Sequence, residues 1–283
     1  MPLISRRAIA SARGYGMFNG GIPAITYLVI AGGGGAAGWV NGSQAGASGG
    51  AGGVLTATSK LFKPNITYTV TIGQGGASGY GPASGTNGQN STVTGSGFTT
   101  LTAIGGGSGG ANTVNGGNGG SGGGGGAQGG SGGSGTSGQG YAGSAGDAGS
   151  NGGAGGGAGG AASSGAYGIG IANPITGSTV GYNSGGTYYL AGGGSAASGT
   201  GTYNQYGGGN NATNAYANTG SGGGGGGVYA GSNYNTNGAG GSGVVVIAYP
   251  ISYKAATTTG SPTVITTATT RIYQFTSSGT ITF

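Results

Sequence analysis

Cysteine and histidine are absent from these 283 residues, and Asp147 is the only acidic side chain. Each absence removes a class of chemistry. Without cysteine there is no disulfide, and the redox compartment is left open. Without histidine there is no Ser-His-Asp or Cys-His catalytic site. Zinc sites draw on Cys or His, and a glycosidase needs a pair of carboxylates. Asp147 and loop carbonyls would hold calcium only weakly, and no stretch has the spacing of a calcium-binding loop. The chain is therefore expected not to be an enzyme and to use no cofactor and no metal.

Charge of either sign is scarce, at 3% of residues against about 25% in ordinary soluble domains. The bases are Arg6, Arg7, Arg13, Lys60, Lys63, Lys254 and Arg271, which set a net charge of +6. Three of the seven fall within residues 6–13, and the glycine-rich middle of the chain has none. Bases so scattered cannot track a phosphate backbone, so no nucleic-acid partner is expected. The Arg6-Arg7 pair has the look of a twin-arginine export signal, but Arg13 interrupts the apolar stretch such a signal needs. No apolar run approaches the roughly 20 residues of a membrane-spanning helix. Neither export nor membrane insertion is expected.

Glycine fills much of the space left, with 84 residues. In Tyr27–Trp39, "YLVIAGGGGAAGW", Gly33, Gly35 and Gly38 stand at G-x-G-x-x-G spacing. A dinucleotide site would require a helix to follow and an acidic residue about 20 positions on. The next residues, "VNGSQAGASGGAGG", are too rich in glycine for a helix, and the first acidic residue is Asp147. The motif is a by-product of composition.

Residues 1–25 form a basic, irregular lead, expected to be an anchoring segment. Strands are predicted at "TYLVIA" (26–31), "GVLTATS" (53–59), "TYTVTIG" (67–73) and "GFTTLTAI" (97–104). In the third, Tyr68, Val70 and Ile72 alternate with threonines, the period of a half-buried strand. Residues 26–104 are thus a β-rich part and 105–243 a glycine-rich body. Residues 244–283 supply strands returning to the β-rich part. Of these, "VVVIAYP" (244–250) reads as a buried strand, and "RIYQFTSSGTITF" (271–283) as a hairpin turning at Ser277-Ser278-Gly279.

The body has a three-residue period. Gly117, Gly120, Gly123, Gly126, Gly129, Gly132, Gly135 and Gly138 hold one register. Gly140, Gly143, Gly146, Gly149, Gly152 and Gly155 hold another, shifted by two. Collagen shares the period but needs abundant proline, and none occurs between Pro82 and Pro174. Two readings remain. One is a flexible linker. The other is polyglycine II: three-residue helices packed side by side, joined by backbone hydrogen bonds across faces that carry no side chains. The second is the expectation. The fold class is then mainly β with an irregular glycine-rich body, a small β-sheet element plus a polyglycine II helix bundle.

Five stretches carry a family resemblance: "YLVIAGGGG", "TYTVTIGQGGA" with "NGQNSTV", "ANTGSGGGGGG", "GGSGVVVIAYP" and the closing "YQFTSSGTITF". Over roughly residues 26–283 the chain resembles the glycine-rich domain of tailed-phage tail-fibre and adhesin proteins, as found in marine and cyanobacterial phages. The resemblance implies a virion protein, made in the host cytoplasm and present in several copies per particle. In related tail-tip adhesins, stacked polyglycine II helices support variable loops that touch the bacterial surface. No binding residue transfers from that family, because the loops do not align.

The candidate contact residues come from this sequence itself. Ten of the 17 tyrosines lie in residues 141–234, among Asn, Thr and Ser. Tyrosine offers a broad contact surface at low rotamer cost, with Asn and Ser as adaptable partners. Tyr167, Tyr182, Tyr188, Tyr189, Tyr203, Tyr206, Tyr216, Tyr229 and Tyr234 are the receptor-binding candidates, expected in loops at the exposed end of the body. A host cell-surface glycan or protein is the expected partner. Arg6, Arg7 and Arg13 are the candidates for anchoring to other virion proteins of the tail, baseplate or capsid. The competing reading is a virion part without receptor contact: a capsid fibre, decoration protein or tail adaptor. An ice-binding or silk-like protein is a third reading, but the side chains lack the flat Thr/Ala regularity that ice binding favours.

Overall fold

The apolar runs of the sequence become the central strands of a layered β structure. The computed structural model describes residues 24–38, 45–59, 62–164, 166–195, 204–226, 228–229, 232–233 and 237–283. Among them there is no helix, and every named strand pairing is antiparallel. The fold is mainly β.

An inner five-stranded sheet contains β1 (Ile25–Ile30), β2 (Val54–Ser59), β11 (Val244–Pro250), β13 (Thr263–Thr266) and β14 (Thr270–Phe275), in the order β13-β14-β11-β1-β2. An outer sheet contains β3 (Thr67–Thr71), β4 (Ser91–Gly95), β5 (Leu101–Ala103), β12 (Thr257–Thr258) and β15 (Gly279–Thr282), in the order β12-β15-β3-β4-β5. Ile25, Tyr27 and Val29 of β1 and Val245, Ile247 and Tyr249 of β11 pack against Tyr68, Val70, Val93 and Ile281 of the outer sheet. The alternate residues Leu28, Ile30, Val244 and Val246 point the other way, onto Ile175 and Leu190. Burial on both faces is why β1 and β11 read as unbroken apolar runs. β3 has one wet face: Thr67, Thr69 and Thr71 are exposed while Tyr68 and Val70 are buried, as its alternation predicts.

Beyond the strand ends the chain continues into glycine. β1 runs into 31–38, β3 into 72–79 and β5 into 104–110; segments 45–53, 83–90 and 237–243 lead into β2, β4 and β11. Packed sheets stand about 10 Å apart because side chains fill the gap. Glycine removes those side chains, so backbones from both layers meet directly. Ala31, Gly34 and Ala37 donate to Gly53, Gly50 and Ala47. Gly32, Gly35 and Gly38 donate to Gln89, Thr86 and Ala83, and Gly33 and Ala36 donate to Gly241 and Gly238. Each direction recurs every third residue. Acceptors follow the same rule: Gly32 and Gly35 receive Gly106 and Gly109, while Gly33 and Ala36 receive Gly76 and Gly79. A segment surrounded in this way leaves room for no more than a methyl group, at Ala31, Ala36 and Ala37, and for none at the four glycines between. A β-carbon on Gly32, Gly33, Gly34 or Gly35 would meet the carbonyl of Gln74, Ser221, Gly107 or Ala77 in turn. Runs of consecutive glycine therefore mark the most surrounded stretches. The break between the two glycine registers is a turn, where Gly140 and Gln139 donate to the Thr136 carbonyl and Gly138 has φ 76°.

Two expectations are corrected. Residues 271–283 do not form a hairpin: β14 pairs with β11 and β13 in the inner sheet, whereas β15 pairs with β3 and β12 in the outer one. The Ser277–Gly279 corner carries the chain between layers, because Phe275 and Ile281 enter the same core from opposite sheets. The glycine-rich body also contains a sheet of its own, of β6 (Ile171–Ala172), β7 (Tyr182–Ser184) and β8 (Thr187–Leu190) in the order β6-β8-β7. The two-residue strands β9 (Val228–Tyr229) and β10 (Ser232–Asn233) pair separately.

Candidate tyrosine surface

The small sheet forms a third layer. Its inner side contributes Leu190, with Ile171 beside it, to the apolar cluster under the inner sheet. Tyr182 of β7 lies directly opposite Tyr189 of β8, so these two share the outer face, and Tyr188 alternates to the other. This overturns the expectation of loops for Tyr182, Tyr188 and Tyr189. The stretch contains paired β formers around Gly185-Gly186, both with positive φ, and that turn closes β7 onto β8.

A second chain segment completes the assembly. Tyr206 packs edge-on against Tyr189 at 5.1 Å and against Tyr167 at 6.2 Å between ring centroids. Tyr182 packs edge-on against Tyr216 at 5.4 Å. The hinge is Gly207, with φ 82°, where a β-carbon would press between the β-carbons of Tyr182 and Tyr216. Asn204 holds this turn: its side chain accepts from Tyr206 and Gly208 and donates to the Gly193 carbonyl. The Tyr216 amide donates to the Gly207 carbonyl, and the Ser221 hydroxyl donates to that of Tyr206. Five tyrosines, Tyr167, Tyr182, Tyr189, Tyr206 and Tyr216, thus gather around one turn. Tyr216 remains 42% exposed and the other four are half-buried.

This surface is not at the far end of the glycine segments. Gly220, next to Ser221, faces Ile30 and Ala31, where β1 hands over to glycine. The tyrosines therefore flank the junction of strands and glycine segments. The expectation that bulky rings are driven to the far turns overlooked the small sheet, whose outer face accommodates them. Tyr203, Tyr234, Arg6, Arg7 and Arg13 lie outside the described residues, as does the side chain of Tyr229. Two exposed rings were missed: Tyr80, 83% exposed in a turn closed by the Ala83 amide, and Tyr141, 52% exposed. "YGP" at residues 80–82 is a turn signal that marks the first. Tyr141 borders a groove of about 510 Å³ that includes Val54, Thr56, Gln139 and Ile171. No spacing in the sequence brings those residues together.

The charged side chains of the described residues, Lys63, Asp147, Lys254 and Arg271, all lie outside the tyrosine assembly. Arg271 donates to the Tyr253 carbonyl and sits 6.0 Å from the Tyr249 ring centre. Beside it the Tyr273 hydroxyl is pushed up to about 12, first by burial and then by the Tyr249 hydroxyl bonded to it. Asp147 is held below the usual carboxylate range, chiefly by the Asn151 amide and then by the Asn151 side chain. Among the described residues no group of three or more acidic side chains is placed to hold a metal ion. Among the described residues the tyrosine surface is thus aromatic and uncharged, suited to stacking and hydroxyl hydrogen bonds.

No curated protein and no solved structure matches the chain. The family model described as "Glycine-rich domain" matches residues 16–250. That span takes in β1, the glycine segments, the small sheet and β11, so the chain belongs to this glycine-rich domain family.

Proposed function

We propose that the chain is a bacteriophage virion structural protein, a tail fibre or adhesin, that contacts its host through the tyrosine surface. The observation that carries this reading is the gathering of five tyrosines around Gly207, on an uncharged face next to cross-bonded glycine segments. Aromatic rings held on a stiff support stack on sugar rings or apolar side chains at low entropic cost. A cell-surface glycan or protein is the partner. Other virion proteins hold the N-terminal segment with Arg6, Arg7 and Arg13, and the protein acts as part of the particle.

The glycine segments serve this role as polyglycine II helices packed into a bundle. Support comes from the donor pattern of 31–38, which returns to the same neighbour every third residue. A helix of three residues per turn points its N–H groups along three directions in rotation. A crystal structure should find backbone angles in these segments near about −75° and +145°, or the mirror values that glycine permits. Extended β angles throughout 31–38 would remove the bundle reading.

Purified protein should compete with particles for adsorption to host cells. Replacing Tyr206 and Tyr216 with alanine should weaken that competition on the order of tenfold, the size of effect typical of an aromatic hot spot. Folding is checked alongside by thermal melting. Unchanged competition by a folded variant would favour the second reading, a virion part without receptor contact. The packing of the tyrosines on one another favours that reading too, since a docking face for a neighbouring subunit would use the same rings.

A further inference from the structure

Asn-Gly sequences are sites where a chain can modify itself. The glycine nitrogen attacks the asparagine side-chain carbonyl, which requires an N–H that no other group holds. Five such pairs lie within the described residues: Asn87-Gly88, Asn115-Gly116, Asn118-Gly119, Asn151-Gly152 and Asn237-Gly238. In four of them the glycine amide is bonded: Gly88 to Gly106, Gly116 to Ser131, Gly119 to Ser134 and Gly238 to Gly224. Their asparagines are tied as well. The Asn87, Asn115 and Asn118 carbonyl oxygens accept from Ser108, Ser131 and Ser134, and the Asn237 amide donates to Gly79.

Gly152 differs. Its amide has no acceptor among the described residues. Asn151 is exposed, and among the described residues its side chain is held only by the equally exposed Asp147, with Nδ2 donating to Oδ2 at 2.6 Å. We infer that Asn151-Gly152 is a self-modification site at which Asn151 converts to aspartate and isoaspartate. Gly152 itself is buried against the Ala47 backbone, whereas Asn151 is exposed. The Gly152 nitrogen loses its proton to water entering beside the Asn151 side chain and bonds to Cγ of Asn151. The Cγ–Nδ2 bond breaks, and the nitrogen takes a proton from solvent and leaves as ammonia. Water then opens the cyclic imide at either carbonyl. The sum consumes one water and releases one ammonia, with no oxidant or other reactant.

The conversion changes the loop. Asp147 accepts from the Gly149 amide, the Asn151 amide and the Asn151 side chain. Afterwards the third donor is gone and a second carboxylate faces the first, a like-charge pair that raises the carboxyl pKa values. Isoaspartate also lengthens the backbone next to Ser150 and Gly153, whose carbonyls accept from Ala45 and Ser48. The exposed loop would then detach from segment 45–51.

The test is prolonged incubation of the full chain at mildly alkaline pH, with peptide mass mapping and isoaspartate detection, beside a sample unfolded in urea. In the unfolded sample all five pairs should convert at comparable rates. In the folded sample the Asn151 peptide should convert first, and the other four should lag by tenfold or more. Peptides with Asn19-Gly20 and Asn41-Gly42, which lie outside the described residues, are scored separately. An N151Q variant should melt like the parent and show no conversion at this position. Equal conversion of the five pairs in the folded chain would overturn the assignment. So would an Asn151 that stays intact when folded but converts when unfolded.

Discussion

At Gly126 a β-carbon would meet the Asn112 carbonyl, and at Gly149 the nearest atom is Asp147 Oδ1 at 3.4 Å. Both glycines belong to three-residue registers, yet only the first is closed by backbone. Gly126→Val should destabilise the protein by several kcal/mol, about the scale of core overpacking or worse. Gly149→Ala should stay within about 0.5 kcal/mol. Thermal melting decides, and equal melting temperatures for the two variants would contradict the close approach at Gly126. Tyr273 gives a second test at this scale. Its hydroxyl accepts from the Ala256 amide at 2.9 Å, and burial pushes its pKa from 10.0 to about 12. The protonated form is favoured in the folded chain. Above about pH 10 the unfolded chain loses this proton while the folded one keeps it, so stability falls as pH rises between about 10 and 12. Tyr273→Phe should cost only about 0.5–1.5 kcal/mol at neutral pH, because the Ala256 amide keeps the Tyr249 hydroxyl as an acceptor at 2.8 Å. It should also flatten the alkaline loss, as read from urea melts at a series of pH values.

Among the elements, Gln139 bridges the edges of the two large sheets, its side chain on one and its backbone carbonyl on the other. Gln139 Oε1 accepts from the Ile104 amide at 2.9 Å and Nε2 donates to the Thr102 carbonyl at 3.1 Å. Its own carbonyl accepts from Val54 at the start of β2. An amide side chain thus takes the place of a neighbouring strand for β5 and closes an edge that would otherwise invite pairing. Gln139→Ala should cost about 1–3 kcal/mol by leaving those groups unpaired. Faster hydrogen exchange at Ile104 is the readout, and an unchanged exchange rate there would show that the edge is held otherwise. Sequence reasoning reached β1, β2, β3, β5 and β11 because periodicity and apolar content report burial directly. It missed β4, whose "STVTG" has little apolar content, and the small sheet, whose two-to-four-residue strands are too short to show a period. The hairpin expected at 271–283 failed for a different reason. A short polar corner between two apolar arms looks the same whether the arms pair or part to separate sheets.

On the scale of the whole molecule, the described pairings of β1 with β2 and β11 run from Ile25 to Ile30. Deleting residues 1–20 should leave the melting transition of the purified chain in place. On the virion reading it should remove the protein from particles, measured by composition of purified virions, and normal incorporation would refute the anchoring role. The sequence alone determined that this chain holds itself together mainly by backbone. With 84 glycines, few charges and short apolar runs, no other plentiful source of stability exists, since buried N–H and C=O groups must be paired. It also determined which runs become buried strands. Only the tertiary structure decided which segments lie side by side. Every glycine segment offers the same donors and acceptors, so none names its neighbour by local chemistry. The strands make that choice, because side-chain packing between the sheets fixes their order and register. The tyrosine surface follows from the same fact: Tyr167, Tyr182, Tyr189, Tyr206 and Tyr216 are scattered along 50 residues. They meet because β8 stacks on the inner sheet and the Tyr206–Gly207 turn is laid across it.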